Sequence, residues 1–265
     1  MSDRGEEFKI LDHPGITEFI FYPREDSFQA ADDENMMSLL LPVEKGISIS
    51  CVFYTGGREL PNILFFHGNG ELASEYMDIA ATFNDSGVNL FVADYRGYGV
   101  SGGSPTVSNM IKDANPIYAG FSKILGEKGF SGSRFIMGRS LGSASALEIV
   151  GSHPGEFKGV IIESGFCDVT DLLARIGIPL PDWGKGGMAR SPGFERVEKI
   201  TMPALIIHGA HDSIVPLAEG EKIFRYIGSK DKRMAVIPDA DHNTIFMVGM
   251  KQYLKELSDF IEKYK

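Results

Sequence analysis

Three side chains in the 265-residue sequence, Ser140, Asp212 and His242, have the chemistry of a nucleophile, an orienting acid and a base. A serine hydroxyl is a poor nucleophile at neutral pH, and it needs a base to take its proton. That base is usually a histidine that a carboxylate holds in the right tautomer. Together the three could transfer an acyl group to water, if the fold brings them to one place.

Ser140 lies in the sequence Gly-Arg-Ser-Leu-Gly at 138–142, between an apolar run typical of a buried strand and a helix-forming run. The serine is therefore predicted at a strand-to-helix corner, the setting of a nucleophile elbow. Glycines beside it suit a turn that is too tight for a Cβ atom. A second Gly-x-Ser-x-Gly, at 99–103, runs into Gly-Ser-Pro with no helix start, so Ser101 is interpreted as a loop residue.

His242 is the predicted base. It lies in a short loop between the last predicted strand and the last predicted helix. Loops at the carboxyl ends of parallel strands share one edge of the sheet, so a histidine there can reach Ser140. The other histidines lie before the first strand, at strand ends, beside a proline or next to an aspartate: His13, His67, His208, His153 and His211.

Asp212 is the predicted orienting acid, because it follows the preceding strand and lies on the same edge. Asp239 and Asp241 are nearer to His242 in sequence. A close sequence neighbour rarely supports the imidazole Nδ1 in a productive line, and solvated loop carboxylates account for both. The order serine, aspartate, histidine along the chain is then fixed.

The elements that must position these residues are indicated by short continuous apolar runs separated by helical stretches. Such runs are typical of parallel strands, buried on both faces and joined by right-handed crossovers. An alternating segment at 46–54 favours an antiparallel strand, and 17–22 is predicted as a first strand at the same edge. The prediction is a three-layer α/β fold with a mostly parallel sheet of about eight strands and an antiparallel N-terminal edge. Helices are predicted at 72–83, 109–125 with a kink or break at Pro116, 141–150, 217–226 and 244–264.

One glycine- and proline-rich insert, at 164–202, interrupts the alternation of strands and helices. Its length and lack of periodicity favour a small lid over the carboxyl ends of the strands. The alternative is a single crossover helix with long flanking loops and no role toward substrate. Phe166, Ile176 and Trp183 are predicted to line a substrate pocket, and residues 1–265 are predicted to form a single domain.

The composition and charge argue against several classes of protein. A net charge of −10 and a pI near 5.1 argue against nucleic acid or an anionic membrane as the main partner. No apolar run is long enough to span a bilayer, and the charged start lacks the apolar core of a signal peptide. We therefore expect a cytoplasmic protein, with Cys51 and Cys167 as buried thiols and no integral membrane segment. The oligomeric state is left open.

Taken together, the motifs resemble those of α/β-hydrolase fold serine hydrolases from about Ile47 to the last helix. The motifs are His-Gly-Asn-Gly at 67–70, Asp-Tyr-Arg-Gly-Tyr-Gly-Val-Ser at 94–101, the elbow at 138–143, His-Gly-Ala-His-Asp at 208–212 with Val-Pro at 215–216, and Asp-His-Asn at 241–243. The elbow combined with His-Gly-Asn-Gly is most similar to the small-lidded branch of Bem46-like and ABHD13/ABHD17-like proteins. That resemblance implies relatives that include protein depalmitoylases.

The resemblance also implies an oxyanion hole made by the backbone N–H groups of Leu141 and Asn69. Glycines on both sides of Asn69 would let that loop turn its amides inward. His67 is expected to be a structural hydrogen-bonding residue beneath the hole, and Asp94 and Arg96 to brace two loops. Neither a metal nor an organic cofactor is called for.

The function predicted from the sequence is hydrolysis of a carboxylic ester or thioester through an acyl-enzyme on Ser140. Esters and thioesters are favoured because the apolar residues of the insert could hold the acyl chain of a small-molecule or acylated substrate. Two alternatives stay open. One is a serine peptidase or amidase of the same fold, and the other is a binding protein on this fold that does not catalyse a reaction.

Overall fold

The structure is a computed structural model, and it describes residues 6–27, 35–167 and 192–265. Within these ranges the chain forms one eight-stranded sheet in the order β1-β2-β4-β3-β5-β6-β7-β8. The strands are β1 (Met36–Glu44), β2 (Ile47–Tyr54), β3 (Asn62–Phe66), β4 (Asn89–Ala93), β5 (Arg134–Arg139), β6 (Gly159–Glu163), β7 (Ala204–Gly209) and β8 (Lys232–Ile237). Strand β2 pairs antiparallel with β1 and β4, and the pairs from β4 to β8 are parallel.

Burial along the strands follows the apolar pattern of the sequence. Every residue of β3, β4, β6 and β7 is buried, whereas β8, at the far edge, alternates between buried and exposed positions. Alternate side chains of a strand reach opposite faces of the sheet. In β3, Leu64 and Phe66 therefore join one apolar core, while Ile63 and Phe65 join the other.

The described ranges contain seven α-helices, which cover the two faces of the sheet. They are α1 (Pro14–Ile20), α2 (Met77–Asp85), α3 (Val107–Lys128), α4 (Gly142–Ser152), α5 (Pro192–Lys199), α6 (Leu217–Tyr226) and α7 (Ile245–Tyr264). Helices α2 and α7 contribute to one core, and the remaining five contribute to or pack against the other. Two short 3-10 helices, Glu6–Asp12 and Ala73–Tyr76, complete the set in these ranges. The three-layer fold with its antiparallel N-terminal edge is confirmed.

The predicted first strand at 17–22 is wrong, because helix α1 covers most of that segment. Pro14 occupies the first helical position, where its missing N–H costs nothing. The side chain of His13 accepts the Gly15 N–H, which caps the helix, and Ile16 is buried in the core. The strand at the sheet edge is instead β1, which the sequence pattern did not indicate.

Pro116 does not divide its helix, since α3 runs without interruption through it.

The insert predicted at 164–202 contains α5, and its residues 168–191 lie outside the described ranges, as do Ile176 and Trp183. The lid and the single-domain assignment stay predictions. Among the helices of the described ranges, none combines the length and apolar character needed to cross a bilayer.

Candidate active site

Ser140, His242 and Asp212 lie in hydrogen-bonding contact at the carboxyl edge of the sheet. The His242 Nε2 atom is 3.0 Å from Ser140 Oγ, and the His242 Nδ1 atom is 2.7 Å from Asp212 Oδ2. The three residues follow β5, β8 and β7, and each is less than one-tenth exposed. The structure therefore brings together the three residues that the sequence predicts as nucleophile, base and acid.

The turn that presents Ser140 is strained and tightly packed. Its φ angle of 50° lies in the left-handed region, which is uncommon for a residue with a side chain. A Cβ atom on Gly138 would lie 2.6 Å from Ser143 Cα, and one on Gly142 would lie 2.0 Å from the Phe66 carbonyl oxygen. Both glycines of the elbow are thus required by close backbone contacts.

Asp212 is held as a hydrogen-bond acceptor. Its Oδ1 atom accepts the N–H groups of Ile214 and Val215, at 3.0 and 2.8 Å, which leaves Oδ2 for His242. Burial by itself would raise the pKa of this carboxyl, but polar contacts with His208, His242 and Val215 hold it well below its usual range. An ionised Asp212 fixes the proton of His242 on Nδ1, so Nε2 faces the serine as an acceptor.

The other aspartates near His242 have different contacts. Asp241 Oδ1 accepts the N–H groups of Asn243 and Thr244, which places it at the start of α7 as a turn-forming residue. Asp239 is strongly exposed. Their interpretation as solvated loop carboxylates agrees with this geometry.

His208 is a site residue that the sequence analysis did not assign. It is fully buried, its Nε2 atom donates to the Val215 carbonyl oxygen at 2.8 Å, and the same atom is 3.5 Å from Asp212 Oδ2. A Cβ atom on Gly220 would lie 2.5 Å from His208 Nδ1, so a glycine is needed there. The sequence signal that could have revealed this support of the Asp212 loop is a histidine four residues before Asp212.

The loop after β3 carries the second predicted oxyanion donor. Gly70 has a φ of 74°, and the Gly68 N–H donates to Glu71 Oε2 at 2.8 Å. The Asn69 side chain accepts the Tyr22 N–H and the Tyr98 hydroxyl, at 2.8 and 2.7 Å. Among the described residues, the backbone N–H groups of Asn69 and Leu141 have no hydrogen-bond acceptor.

His67 and Asp94 form a buried pair beneath this loop. The His67 Nε2 atom is 3.0 Å from Asp94 Oδ1, and its Nδ1 atom is 2.8 Å from the Gly68 carbonyl oxygen. Burial would lower the pKa of His67, but the Asp94 carboxylate raises it. Arg96 pairs with Asp113 of α3 at 2.6 Å. The His67–Asp94 pair joins the loops after β3 and β4, whereas Arg96 joins its loop to α3 and to Glu44 of β1, so the expected bracing of two loops by Arg96 is not found.

Ser101, the serine of the second Gly-x-Ser-x-Gly, is a loop residue that accepts the Ser50 N–H. Phe166 is buried next to the elbow, since its backbone contacts Ser143 Oγ at 3.4 Å. Within the described ranges, no group of three histidine, cysteine or acidic residues is arranged to hold a metal ion.

Arg139, the residue between the first glycine and the serine of the elbow, has three acceptors that the sequence analysis missed. Its Nε atom donates to Glu163 at 3.0 Å, its Nη1 atom donates to Glu71, and its Nη2 atom donates to the His242 carbonyl oxygen at 2.7 Å. Burial would lower the pKa of this guanidinium, but the two carboxylates raise it. Tyr253 donates to Glu163 at 2.7 Å from α7.

A mostly parallel eight-stranded sheet, with the serine after β5, the aspartate after β7 and the histidine after β8, defines the α/β-hydrolase fold. The sequence matches the family described as serine aminopeptidase, S33, over residues 59–191 and 193–246. The chain belongs to this family of α/β hydrolases.

Known proteins with similar sequences support the same placement. Alpha/beta hydrolase domain-containing protein 17B of Homo sapiens is 26% identical over 245 residues, which cover 89% of this chain and 78% of that protein. Alpha/beta hydrolase domain-containing protein WAV2 of Arabidopsis thaliana is 28% identical over 77% of this chain and 70% of that protein. The chain is thus similar to the ABHD17-like branch, as the elbow and its companion motifs indicate.

Solved structures share the fold. The Pyrococcus furiosus esterase Pf2001 superposes with a TM-score of 0.72 at 19% identity, covering 91% of this chain and 98% of that one. A monoacylglycerol lipase from Paleococcus ferrophilus superposes with a TM-score of 0.61 at 19% identity, covering 82% of this chain and 99% of the lipase. At these identities the likeness shows the architecture alone.

Proposed function

We propose that the protein is a serine hydrolase that cleaves a carboxylic ester or thioester through an acyl-enzyme on Ser140. The observation that carries this proposal is the pair of contacts made by His242, 3.0 Å to the serine hydroxyl and 2.7 Å to Asp212. A buried serine in a merely structural role has no need of an imidazole that a carboxylate orients. Nucleophilic catalysis needs this arrangement.

In the proposed reaction, Ser140 Oγ attacks the substrate carbonyl carbon while His242 Nε2 takes the hydroxyl proton. The protonated imidazole then gives this proton to the leaving alcohol or thiol as the C–O or C–S bond breaks. Asp212 stays ionised and stabilises the imidazolium through Nδ1–H. Water attacks the acyl-enzyme in the second half, with His242 again as base, and the acid product leaves Ser140 free.

The oxyanion of the tetrahedral intermediate is proposed to bind the backbone N–H groups of Leu141 and Asn69. Leu141 immediately precedes α4, so the developing negative charge would also face a helix N-terminus. The carboxylate of Glu71 already accepts the Gly68 N–H. This leaves the next amide of the turn as the donor on that side.

An apolar acyl group is supported by the residues beside the proposed catalytic set. Ile214, two residues after Asp212, is an apolar residue that is 50% exposed. The N–H group of Ile214 donates to Asp212 at 3.0 Å, so this exposed apolar residue belongs to the loop that carries the proposed acid. Phe166 adds a buried aromatic ring on the side of the insert.

Hydrolysis of peptides is the second candidate, and the description of the family as serine aminopeptidase favours it. A series of p-nitrophenyl esters and acyl thioesters of increasing chain length, compared with aminoacyl p-nitroanilides, separates the two. Because activated esters react faster than anilides with any serine hydrolase, the deciding results are the dependence on acyl chain length and the anilides themselves: we expect ester and thioester turnover to vary with chain length and no turnover of the anilides. Turnover of the aminoacyl anilides would establish the peptidase instead.

A further inference from the structure

The guanidinium of Arg139 connects three segments of the site, although nothing in the proposed reaction requires a cation there. Its acceptors are Glu163 at the end of β6, Glu71 in the loop after β3, and the carbonyl oxygen of His242. Arg139 itself ends β5 and immediately precedes Ser140. One side chain therefore links the strand that precedes Ser140 to β6, to the oxyanion loop and to the histidine loop.

We propose that Arg139 is a positioning residue, which holds the His242 loop and, through Glu71, the Gly68–Asn69 turn in register with Ser140. The inference rests on the proposed function, because it gives these loops catalytic roles. It gives the residue between the first glycine and the serine of the elbow a role that the serine and the glycines cannot perform.

The contact with His242 fixes the base by its backbone. Arg139 Nη2 donates to the His242 carbonyl oxygen at 2.7 Å, while the imidazole of the same residue spans Asp212 and Ser140. The imidazole of His242 is thus oriented by Asp212. The backbone of His242 is held by Arg139, the residue next to Ser140. A planar guanidinium, with donors in a fixed fork, keeps such an anchor at a defined distance.

The contact with Glu71 reaches the oxyanion loop. Glu71 accepts the guanidinium on Oε1 and the Gly68 N–H on Oε2, so one carboxylate joins Arg139 to the turn that presents Asn69. A Cβ atom on Gly68 would lie 2.5 Å from Arg139 Nη1, which shows how closely the guanidinium packs under this turn. Burial would raise the pKa of Glu71, but Arg139 lowers it below its usual range.

A purely stabilising ion pair is the competing explanation. Buried ion pairs are weak evidence for stability, because desolvation offsets most of their attraction. The acceptors here also include a neutral backbone carbonyl in the histidine loop. Any donor would satisfy that buried carbonyl, whereas Arg139 joins it to the residue next to Ser140, which is the arrangement that positioning of the base needs.

A cavity of about 140 Å³ lies beside Arg139, Glu71 and Glu163, and it makes a chemical rescue experiment possible. Its lining includes Arg139, Glu71 and Glu163, together with apolar residues such as Ile79 and Phe246 of α2 and α7. Removal of the arginine side chain would leave a guanidinium-sized space between two carboxylates, continuous with this cavity. Guanidinium ion, at millimolar concentrations far below those that denature proteins, fits that space and its charge.

The experiment compares Arg139→Lys and Arg139→Ala with wild type in p-nitrophenyl ester hydrolysis. Lysine keeps the positive charge but cannot reproduce the planar fork, so we expect kcat to fall about 100-fold with KM within about twofold. The alanine variant should lose at least as much, and added guanidinium should restore its kcat about tenfold or more. Thermal unfolding of each variant shows whether the measured protein is folded.

Arg96→Ala is the matched control, because Arg96 is a buried arginine whose partners, Asp113 of α3 and Glu44 of β1, belong to none of the loops proposed to hold His242, Asn69 or Asp212. It should lose thermal stability, keep the kcat of wild type, and show no gain in kcat with guanidinium. If Arg139→Ala does not fold, Arg139→Lys and Glu71→Gln decide the question through the same division between kcat and KM.

Folded Arg139 variants that keep kcat within twofold would overturn the inference. A loss that guanidinium does not reverse, while it does raise the unfolding temperature of Arg139→Ala, would also overturn it, because the cation would then stabilise without positioning. An inactive wild type would overturn the proposed function itself. Active wild type with these variants unimpaired would leave the function standing and remove only the role of Arg139.

Discussion

The α-carbon of Gly142 lies so close to the Phe66 carbonyl group that a Cβ atom at position 142 would be 2.0 Å from that oxygen. Phe66 ends β3, and the turn that follows it holds Asn69, whereas Gly142 begins the helix that follows Ser140. This contact therefore sets the separation between the proposed nucleophile and the proposed oxyanion loop. It also gives the second glycine of the elbow a physical cause.

Gly142→Ala should lower both stability and kcat, because the added methyl group pushes β3 and the elbow apart. Overpacking of this kind costs about 1–3 kcal/mol, which chemical denaturation measures. Gly151→Ala in the same helix is the control: nothing lies within 4 Å of a Cβ atom there. That change should leave kcat unaltered and be neutral or stabilise by up to about 1 kcal/mol. Equal unfolding midpoints and equal kcat for the two variants would contradict the packing argument.

Asp212→Asn should reduce kcat about 10⁴-fold with little change in fold, because an amide no longer fixes the His242 proton on Nδ1. Asp241→Asn provides the control, since Asp241 is nearer to His242 in sequence but forms the turn at the start of α7. Asparagine serves well in such a turn, so that variant should keep the kcat of wild type. Steady-state hydrolysis of a p-nitrophenyl ester measures both. A larger loss for position 241 than for 212 would show that the acid is misassigned.

Asp212 should also make the folded protein sensitive to acid. Its pKa is lower in the folded protein than the ordinary value near 3.9 that the unfolded chain has. It therefore stabilises the folded state above that value, and the contribution is lost as the pH falls toward the folded pKa. The free energy of unfolding in urea should decrease between about pH 5 and pH 3, and less steeply in Asp212→Asn. Parallel curves for the two proteins would argue against this linkage.

Asn69→Ala should lower kcat about tenfold or more, because the loop loses the acceptor that ties it to two other segments. Asn69 Oδ1 accepts both the Tyr22 N–H and the Tyr98 hydroxyl. Tyr98→Phe removes only one of these bonds and should have the smaller effect on kcat, with KM little changed in both. Ester turnover measures this order, and an equal or larger loss in Tyr98→Phe would show that the side chain of Asn69 does not hold the loop.

The elbow and the proposed catalytic residues could be predicted from the sequence because their signals are local. Two glycines around a serine, between an apolar run and a helix-forming run, specify a strand-to-helix turn without knowledge of distant residues. The continuous apolar runs indicated parallel strands, and parallel strands place Asp212 and His242 at the same edge as Ser140. Each step needed only the order of elements along the chain.

The contacts of Arg139 could not be predicted in this way, because its partners are distant in sequence. They meet only through the pairing of β5 with β6 and the position of the loop after β3. Arg139 stands opposite Glu163 in the β5–β6 pair, and Glu71 comes from another loop. The error at 17–22 has a different origin. A short apolar run after a proline fits either a strand or a first helical turn. In the structure the segment is helical, and Ile16 of this helix packs in the core. Tertiary contacts of this kind leave no periodic signal in so short a segment.

The central claim, that Ser140 is the nucleophile, is tested most directly by labelling with a fluorophosphonate probe and locating the adduct by mass spectrometry. Wild type should carry one adduct on Ser140, and Ser140→Ala should carry none. Ser101→Ala, which changes the other Gly-x-Ser-x-Gly serine, should be labelled at the rate of wild type. An unlabelled wild type, or an adduct that persists in Ser140→Ala, would contradict the account.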